Sequence, residues 1–517
     1  MFGLSKSNKK GGRSGDPVSA ANALILALPR NEPLVSLCAL SGHLDRIRAA
    51  DEATPKEAFD VVDLLDRGGR SHFRAVARDY LARHRKLTKF QEEQIWRGVS
   101  AYLEQIAQGY RHCLLKFETG AQGGVDLKPL LPLIAARGMR VYAARMKWFF
   151  LRYSPLEPRQ WGDIGALYAM AEAGGIARAR VNPYRNAQGD SSLEEELLRA
   201  LLLAIASPQS LLPQQIEIAD RLVSLCARHF VLATHTAESL RHYVDLQSDA
   251  GPQRIELDTR LSRSARAFGA CQALEQLKDT EAEIEEQEPL AATRRLIEEF
   301  DAETVLATVR HLIRHWGPTL PLRRHERHRN AEPVSVVHDF DEVAACVSGL
   351  TPDYPFVSGQ EQWLLENESR SGMRALVVSP NGRWLEVSAL VAVRKADAST
   401  WSTGIVRRIA RDEGNGRSVG IEIVAHGGAG VTLLPLGRSD EPIPGEGMLC
   451  ALLSKRDNAT DEVTLLLRKG GFSTTMPFEM RAYDQRYRLV PLRLAVRGAN
   501  YEIARYRVQR IADARAA

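Results

Sequence analysis

The spacing of the apolar residues changes once along the chain, near Pro318, and this change limits the fold more than any other feature. From about residue 17 to 316, apolar residues recur at the three- and four-residue intervals of a buried helix face. Thr88 and Gln91, for example, form a capping box before such a stripe. We therefore predict that this part of the chain is all-α.

Glycine and proline mark the ends of these helices. We interpret Gly68-Gly69 and Ser154-Pro155 as helix ends, and we expect the last helix to run from Asp301 to about Trp316. The chain shows no fixed repeat length, so the pattern does not support a regular solenoid.

Beyond Pro318 the chain changes to short segments rich in Val, Ile, Leu and Trp. Turn signals such as Asn381-Gly382 and Asn415-Gly416 separate these segments. Many short strands with close turns are typical of an antiparallel barrel or sandwich. The predicted strands are 333–338, 373–378, 384–394, 401–411, 418–425, 447–454, 462–468, 487–497 and 501–508.

These patterns predict a multidomain α + β chain, with a helical module followed by an antiparallel β-barrel and a further C-terminal β segment. A length of 517 residues is itself too great for one compact core. We divide the chain into a disordered basic tail at 1–16, a helical module at 17–317, a barrel domain at 318–430, and a β-rich extension or second small barrel at 431–517.

The composition is that of an ordinary soluble protein, with 44% hydrophobic and 26% charged residues. A net charge of +5, spread along the chain, does not by itself indicate a nucleic-acid partner. The apolar run Leu197–Ala206 is too short to cross a membrane and contains Arg199. The six cysteines are scattered without a CxxC pair, which favours reduced core thiols of a cytoplasmic protein over disulfides or a zinc site.

Three motifs could indicate chemistry or nucleic-acid binding, and each has a simpler structural explanation. The sequence GRSVG at 416–420 has the spelling of a hydrolase nucleophile elbow, but a strand follows it and the Asn-Gly before it favours a hairpin. His311 and His315 are four apart on a helix, yet no third metal ligand lies near them in the sequence. Aromatic and basic residues interleave at 145–153, as in some proteins that bind single-stranded nucleic acid. The aromatic residues fall on one face of a helix, however, which favours core packing. We expect no enzyme activity, metal or cofactor.

A basic segment, TLPLRRHERHRN at 319–330, precedes the first predicted strand. In it Arg323 and Arg327 are four apart, with Arg324 and Arg329 beside them. A solvated linker between domains would explain this segment. Arginine, however, has a planar fork that matches phosphate oxygens or the O6/N7 edge of guanine. The segment is therefore also a candidate for binding a ligand that contains guanine and phosphate.

A second candidate is the polar sequence NESRSG at 367–372, which lies between two apolar segments. Asn367 and Ser369 are two apart, so they face the same side of an extended segment, where both can hydrogen-bond a base edge. Gly372 would let the chain turn and let a ligand approach the backbone. An ordinary surface turn remains the alternative.

In this order, the two sequences resemble the PilZ domain, a bacterial receptor module for cyclic di-GMP. The family carries R-x-x-x-R before the first barrel strand and [DN]-x-S-x-x-G on the next strands. Here a strand beginning Gly420-Ile421 matches the last part of the family pattern, and the resemblance covers about 318–428. The resemblance implies that Arg323 and Arg327 bind phosphates and guanine edges, with Arg324 as an auxiliary contact. It also implies that Asn367 and Ser369 bind a guanine and that Gly372 shapes the turn.

Two departures from the family pattern matter. The spacing between the motifs is longer than usual, which implies an insertion at about 341–362, and Asn367 replaces the commoner Asp. The resulting expectation is a bacterial, cytoplasmic cyclic di-GMP effector that transmits binding to a protein partner of the helical module, without membrane insertion. Two alternatives stay open: a ligand-free interaction scaffold with a degenerate barrel, and a nucleic-acid binder that uses the basic segment, although we expect no nucleic-acid partner.

Overall fold

The computed structural model contains two compact units, which we describe separately. The first unit comprises Met1–Arg152, Leu156–Pro208 and Pro213–Pro321, and the second comprises Tyr153–Pro155, Gln209–Leu212 and Leu322–Ala517. The residues that the structure describes are 16–50, 53–184, 189–256, 258–270, 272–318, 328–349, 359–378, 383–412, 416–437, 442, 447–453, 461–482 and 485–511.

The first unit is built mainly of α-helices. They are α1 (Pro17–Ala27), α2 (Pro33–Ala50), α3 (Pro55–Arg83), α4 (Lys89–Glu118), α5 (Leu131–Leu151), α6 (Pro158–Ala173), α7 (Leu193–Ile205), α8 (Pro213–Cys226), α9 (Ala273–Glu285), α10 (Ala291–Phe300) and α11 (Ala302–Trp316). The predicted capping box precedes α4, where Thr88 and Gln91 each bind the other's backbone N–H. The last helix begins after its N-cap Asp301, as predicted. Within the described part of the chain, no helix has the length and apolarity needed to cross a bilayer.

Helix α5 packs against α4, α6, α7 and α8. The side chains of Tyr142, Met146 and Phe149 are almost fully buried, and the indole of Trp148 donates a hydrogen bond to the Trp96 carbonyl at 3.2 Å. The aromatic residues near 145–153 therefore form core, as the helical stripe predicted, and Tyr153 falls in the other unit.

The prediction that Gly68-Gly69 ends a helix is wrong, because α3 continues through both residues to Arg83. A Cβ at position 69 would lie 2.2 Å from the hydroxyl oxygen of Tyr102 on α4. That hydroxyl donates a hydrogen bond to the backbone carbonyl of Asp66 at 3.3 Å. The glycine thus provides room for a tyrosine from a neighbouring helix. In the sequence, a glycine with this packing role cannot be told from one that ends a helix.

A small antiparallel sheet also lies in this unit, within a region for which we predicted only helices. Its strands are β1 (Val231–Ala233), β2 (His242–Asp245), β3 (Gln253–Arg254) and β4 (Ala265–Gly269), in the order β1-β4-β2-β3. The strands are two to five residues long. Alternation over so few residues is too short to be recognised in a sequence.

The second unit begins with a closed antiparallel barrel. Its elements are β5 (His328–Arg329), β6 (Pro333–Val337), α12 (Phe340–Val347), β7 (Glu361–Ser369), β8 (Gly372–Val377), β9 (Leu390–Lys395), β10 (Ser402–Arg411) and β11 (Arg417–His426). Strands β6-β9-β10-β11-β8-β7 form the closed ring, and β5 pairs with the last part of β7, at Asn367 and Glu368. Helix α12 lies in the stretch where the motif spacing implied an insertion.

A second closed barrel follows and confirms the predicted further β segment. Its strands are β12 (Ala429–Pro435), β13 (Met448–Leu452), β14 (Glu462–Arg468), β15 (Phe478–Ala482), β16 (Gln485–Arg497) and β17 (Tyr501–Arg510), in the cyclic order β12-β13-β14-β17-β16-β15. A shared hydrophobic cluster, which includes Phe340, Ile405 and Ile503, packs α12 and the first barrel against the second. The predicted fold class, helical region followed by antiparallel barrel and further β structure, is confirmed.

The cysteines fit the predicted core thiols with one exception. Cys113, Cys226, Cys346 and Cys450 are free and buried, whereas Cys38 is free but exposed. Cys271 lies outside the described residues.

Candidate ligand-binding site on the first barrel

The sequence NESRSG forms the end of a tight hairpin between β7 and β8. Ser369 pairs with Gly372 and Asn367 pairs with Arg374, so Arg370 and Ser371 form the turn. Arg374 is exposed between two buried neighbours on β8. Residues directly opposite each other on antiparallel strands share a face of the sheet. Asn367 and Ser369 therefore lie on the outer face of the barrel, on the same side as each other.

A β-bulge is responsible for this outward orientation. Leu365 is buried and pairs with the buried Ala375, and the register then shifts between Leu365 and Asn367. With strict alternation, Asn367 would face inward like Leu365, because side chains two apart share a face. The extra residue, Glu366, moves Asn367 to the outside.

The hydroxyl of Ser369 already takes part in the turn. It donates a hydrogen bond to the Gly372 carbonyl at 3.1 Å. Because a serine hydroxyl has one proton and two lone pairs, Ser369 can bind a further group only as an acceptor. An N–H group of a base edge would suit it.

The turn is also fixed to the neighbouring strand β11. The backbone N–H of Ile423 donates to the Ser371 carbonyl at 3.0 Å. A Cβ at Gly372 would lie 2.9 Å from the carbonyl oxygen of Ile421. The backbone of Gly372 does not have positive φ, so a left-handed conformation is not the reason for glycine at this position. Glycine is needed here because β8 approaches β11 too closely for a side chain.

The predicted loop arginines Arg323, Arg324 and Arg327 lie outside the described residues. The structure does describe the strand that follows them. In β5, His328 pairs with Glu368 and Arg329 pairs with Asn367. The chain therefore enters the barrel directly beside the NESRSG hairpin.

The carboxylate of Glu368 beside this entry point is compensated by a cation. The Lys395 ammonium lies 2.9 Å from Glu368 and 3.0 Å from Glu332, and the Asn330 amide donates to Glu368 at 3.0 Å. Burial alone would raise the pKa of Glu368, but these hydrogen bonds from Lys395 and Asn330 outweigh it and hold the pKa below its ordinary value. The hydrogen bonds to Glu368 and Glu332 likewise raise the pKa of Lys395. Glu368 is thus ionised and neutralised, which limits its repulsion of an anionic ligand.

The other sequence candidates have structural roles. GRSVG enters strand β11 of the β10–β11 hairpin, in which the Asp412 N–H donates to the Gly416 carbonyl at 3.0 Å, and this confirms the hairpin interpretation. The rings of His311 and His315 are 4.3 Å apart, and His311 Nε2 lies 2.6 Å from the Ala206 carbonyl. Among the described residues, no three His, Cys, Asp or Glu side chains are grouped as a metal site would require.

Comparison with protein families finds a match in the helical part of the chain. Residues 19–237 match the model of a family described as the N-terminal domain of the cyclic-di-GMP receptor FimW. The match runs from α1 to β1 and does not include the barrel that carries Asn367 and Ser369. No curated protein matches the chain. The function described for the matched family is thus that of a receptor for cyclic di-GMP.

Proposed function

We propose that this chain is a bacterial, cytoplasmic receptor for cyclic di-GMP and that the first barrel binds the dinucleotide. The observation that carries the proposal is the agreement of two separate regions. The helical region matches a domain family of a cyclic-di-GMP receptor, while the barrel carries the hairpin with Asn367 and Ser369 on one outer face. The two regions do not overlap in the sequence.

The residue types suit the ligand. Arg323 and Arg327, with Arg324 beside them, provide charged forks for phosphate oxygens and guanine edges. Ser369 accepts a hydrogen bond from a guanine N–H group, and the Asn367 amide can both donate and accept. Gly372 keeps β8 close to β11, so that the hairpin holds these two side chains in place.

The proposed consequence of binding is a change in the basic segment. Residues 319–330 fold over the ligand because the loop arginines gain charged partners, and this ordering is transmitted to the helical region. The helical region then binds a protein partner. The protein acts as an effector without catalysis.

Titration calorimetry of the full chain tests the proposal. Cyclic di-GMP is expected to bind, and cyclic di-AMP and GTP are expected to bind far more weakly. Adenine lacks the O6 acceptor and N2 donor of guanine, and the loss of one bidentate contact costs roughly 1–3 kcal/mol. Equal affinity for the two cyclic dinucleotides would contradict the base assignment, and no binding of cyclic di-GMP would leave the chain as an interaction scaffold.

A further inference from the structure

Two arginines that the family resemblance does not assign lie on either side of Asn367. Arg329 is its partner on β5 and Arg374 is its partner on β8. All three residues lie at directly opposite positions on neighbouring strands, so their side chains share the outer face of the barrel. With strands roughly 4.8 Å apart, the row is about 10 Å long.

Arg374 is held in place through one side of its guanidinium group. Its Nε donates to the Ser418 hydroxyl oxygen at 2.6 Å and lies 2.7 Å from a carboxylate oxygen of Glu366. Both described contacts involve Nε, which leaves Nη1 and Nη2 available to bind a ligand. An arginine whose orientation is already fixed loses less conformational entropy when it binds.

The β-bulge gives Glu366 this role. The bulge that moves Asn367 to the outer face also inserts Glu366 into β7 next to Arg374. The same backbone irregularity therefore orients both Asn367 and, through Glu366, the arginine opposite it. A bulge beside a polar row of this kind is typical of binding sites, where it redirects side chains.

We propose that Arg374 and Arg329 bind cyclic di-GMP from the two sides of Asn367, through phosphate oxygens or the O6/N7 edge of guanine. This inference rests on the proposed function. Arg374 contributes a pre-oriented fork, whereas Arg329 is an exposed side chain on a two-residue strand and contributes less. With Arg374, binding does not depend only on the arginines of the basic segment.

Arg505 on β17 supplies a matched control. Its side chain is 46% exposed and that of Arg374 is 48% exposed, and each lies near one glutamate of a neighbouring strand. Arg505 is on the second barrel, so Arg505→Ala removes the same charge from the protein at a different place. Exposed ion pairs contribute little to stability, and all variants are expected to keep the melting temperature of the parent.

Calorimetric titration with cyclic di-GMP is then compared for the parent and four variants. Arg374→Ala is expected to weaken binding about tenfold or more, as the loss of a charge-assisted hydrogen bond does. Arg329→Ala is expected to weaken it by a smaller factor, and Arg505→Ala to leave it unchanged. Arg374→Lys keeps the charge but loses the fork, and it is expected to bind more weakly than the parent.

The outcomes separate this inference from the proposed function. If the parent binds cyclic di-GMP and Arg374→Ala binds it equally well, the inference is wrong and the proposed function stands. Equal weakening by Arg374→Ala and Arg505→Ala would also overturn it, because the effect would then come from net charge alone. If the parent does not bind cyclic di-GMP, both fail.

Discussion

The substitution Gly372→Ala tests why a glycine follows the NESRSG turn. The structure places the added Cβ 2.9 Å from the carbonyl oxygen of Ile421, closer than real Cβ atoms come to a backbone oxygen. Relief requires movement of a backbone, because Ile421 is itself a buried residue in the middle of β11. The φ angle adds no further cost, because it is outside the left-handed region.

The expected loss of stability follows from two opposing contributions. Overpacking in a close-packed region costs roughly 1–3 kcal/mol. Replacement of glycine by alanine also restricts the unfolded chain, which stabilises the folded state by about 0.4–1 kcal/mol. We therefore expect a net loss of about 1–2 kcal/mol in the free energy of unfolding. Since the hairpin holds Asn367 and Ser369, binding of cyclic di-GMP should weaken as well.

Gly420→Ala in the same barrel is the control. Its Cβ would lie 3.3 Å from the Cβ of Arg408, a contact that a shift of a few tenths of an ångström relieves, so Gly420→Ala should destabilise the barrel clearly less than Gly372→Ala. Urea unfolding monitored by tryptophan fluorescence is a suitable assay, because Trp363 is buried in the core of this barrel. If Gly372→Ala is as stable as Gly420→Ala, the explanation by close strand approach is wrong.

Three further predictions concern the turn, the basic segment and pH. Ser369→Ala removes the hydrogen bond to Gly372. It should lower the free energy of unfolding, and also weaken cyclic di-GMP binding, by about 0.5–1.5 kcal/mol each. Urea unfolding measures the first effect and calorimetry the second. Cyclic di-GMP should protect residues 319–330 from proteolysis and amide exchange, and unchanged protection with binding intact would refute the proposed ordering of this segment. Burial, with a smaller effect of Arg254, lowers the pKa of His242 to about 4. Between the ordinary histidine pKa and 4, this histidine is protonated in the unfolded state but neutral in the folded state. Lowering the pH therefore favours unfolding, and the free energy of unfolding should fall by about 2 kcal/mol between pH 7 and pH 5. His242→Phe, which keeps a ring against Phe268, should show a smaller loss in urea unfolding at the two pH values.

Local signals in the sequence predicted much of the fold. The capping box at Thr88, the N-cap at Asp301 and the strand at 462–468 depend on neighbouring residues, and each lies where it was predicted. Strands β5, β7, β12 and β15 were not predicted as strands, although the segment before NESRSG, which lies in β7, was predicted to be apolar. Strands β5 and β15 are only two and five residues long, and β7 has the charged Glu361 at a buried position, where alternation would place an apolar residue.

Features that depend on distant residues could not be predicted. The role of Gly69 is set by Tyr102 on another helix, and that of Gly372 by Ile421 on a strand that follows much later in the sequence. The spacing predicted that Asn367 and Ser369 face the same side of the strand, but it does not reveal the bulge that makes this side the outer face. Arg374 was missed as a candidate because only the pairing of β7 with β8 brings it opposite Asn367.

The affinity for cyclic di-GMP of the parent chain and of Arg327→Ala, measured side by side by calorimetry, tests the central claim most directly. The loss of a charge-assisted contact to the ligand is expected to lower the affinity at least about tenfold, while the melting temperature stays close to that of the parent. If Arg327→Ala binds cyclic di-GMP as tightly as the parent does, the arginine segment is not part of the binding site and the account given for it is wrong.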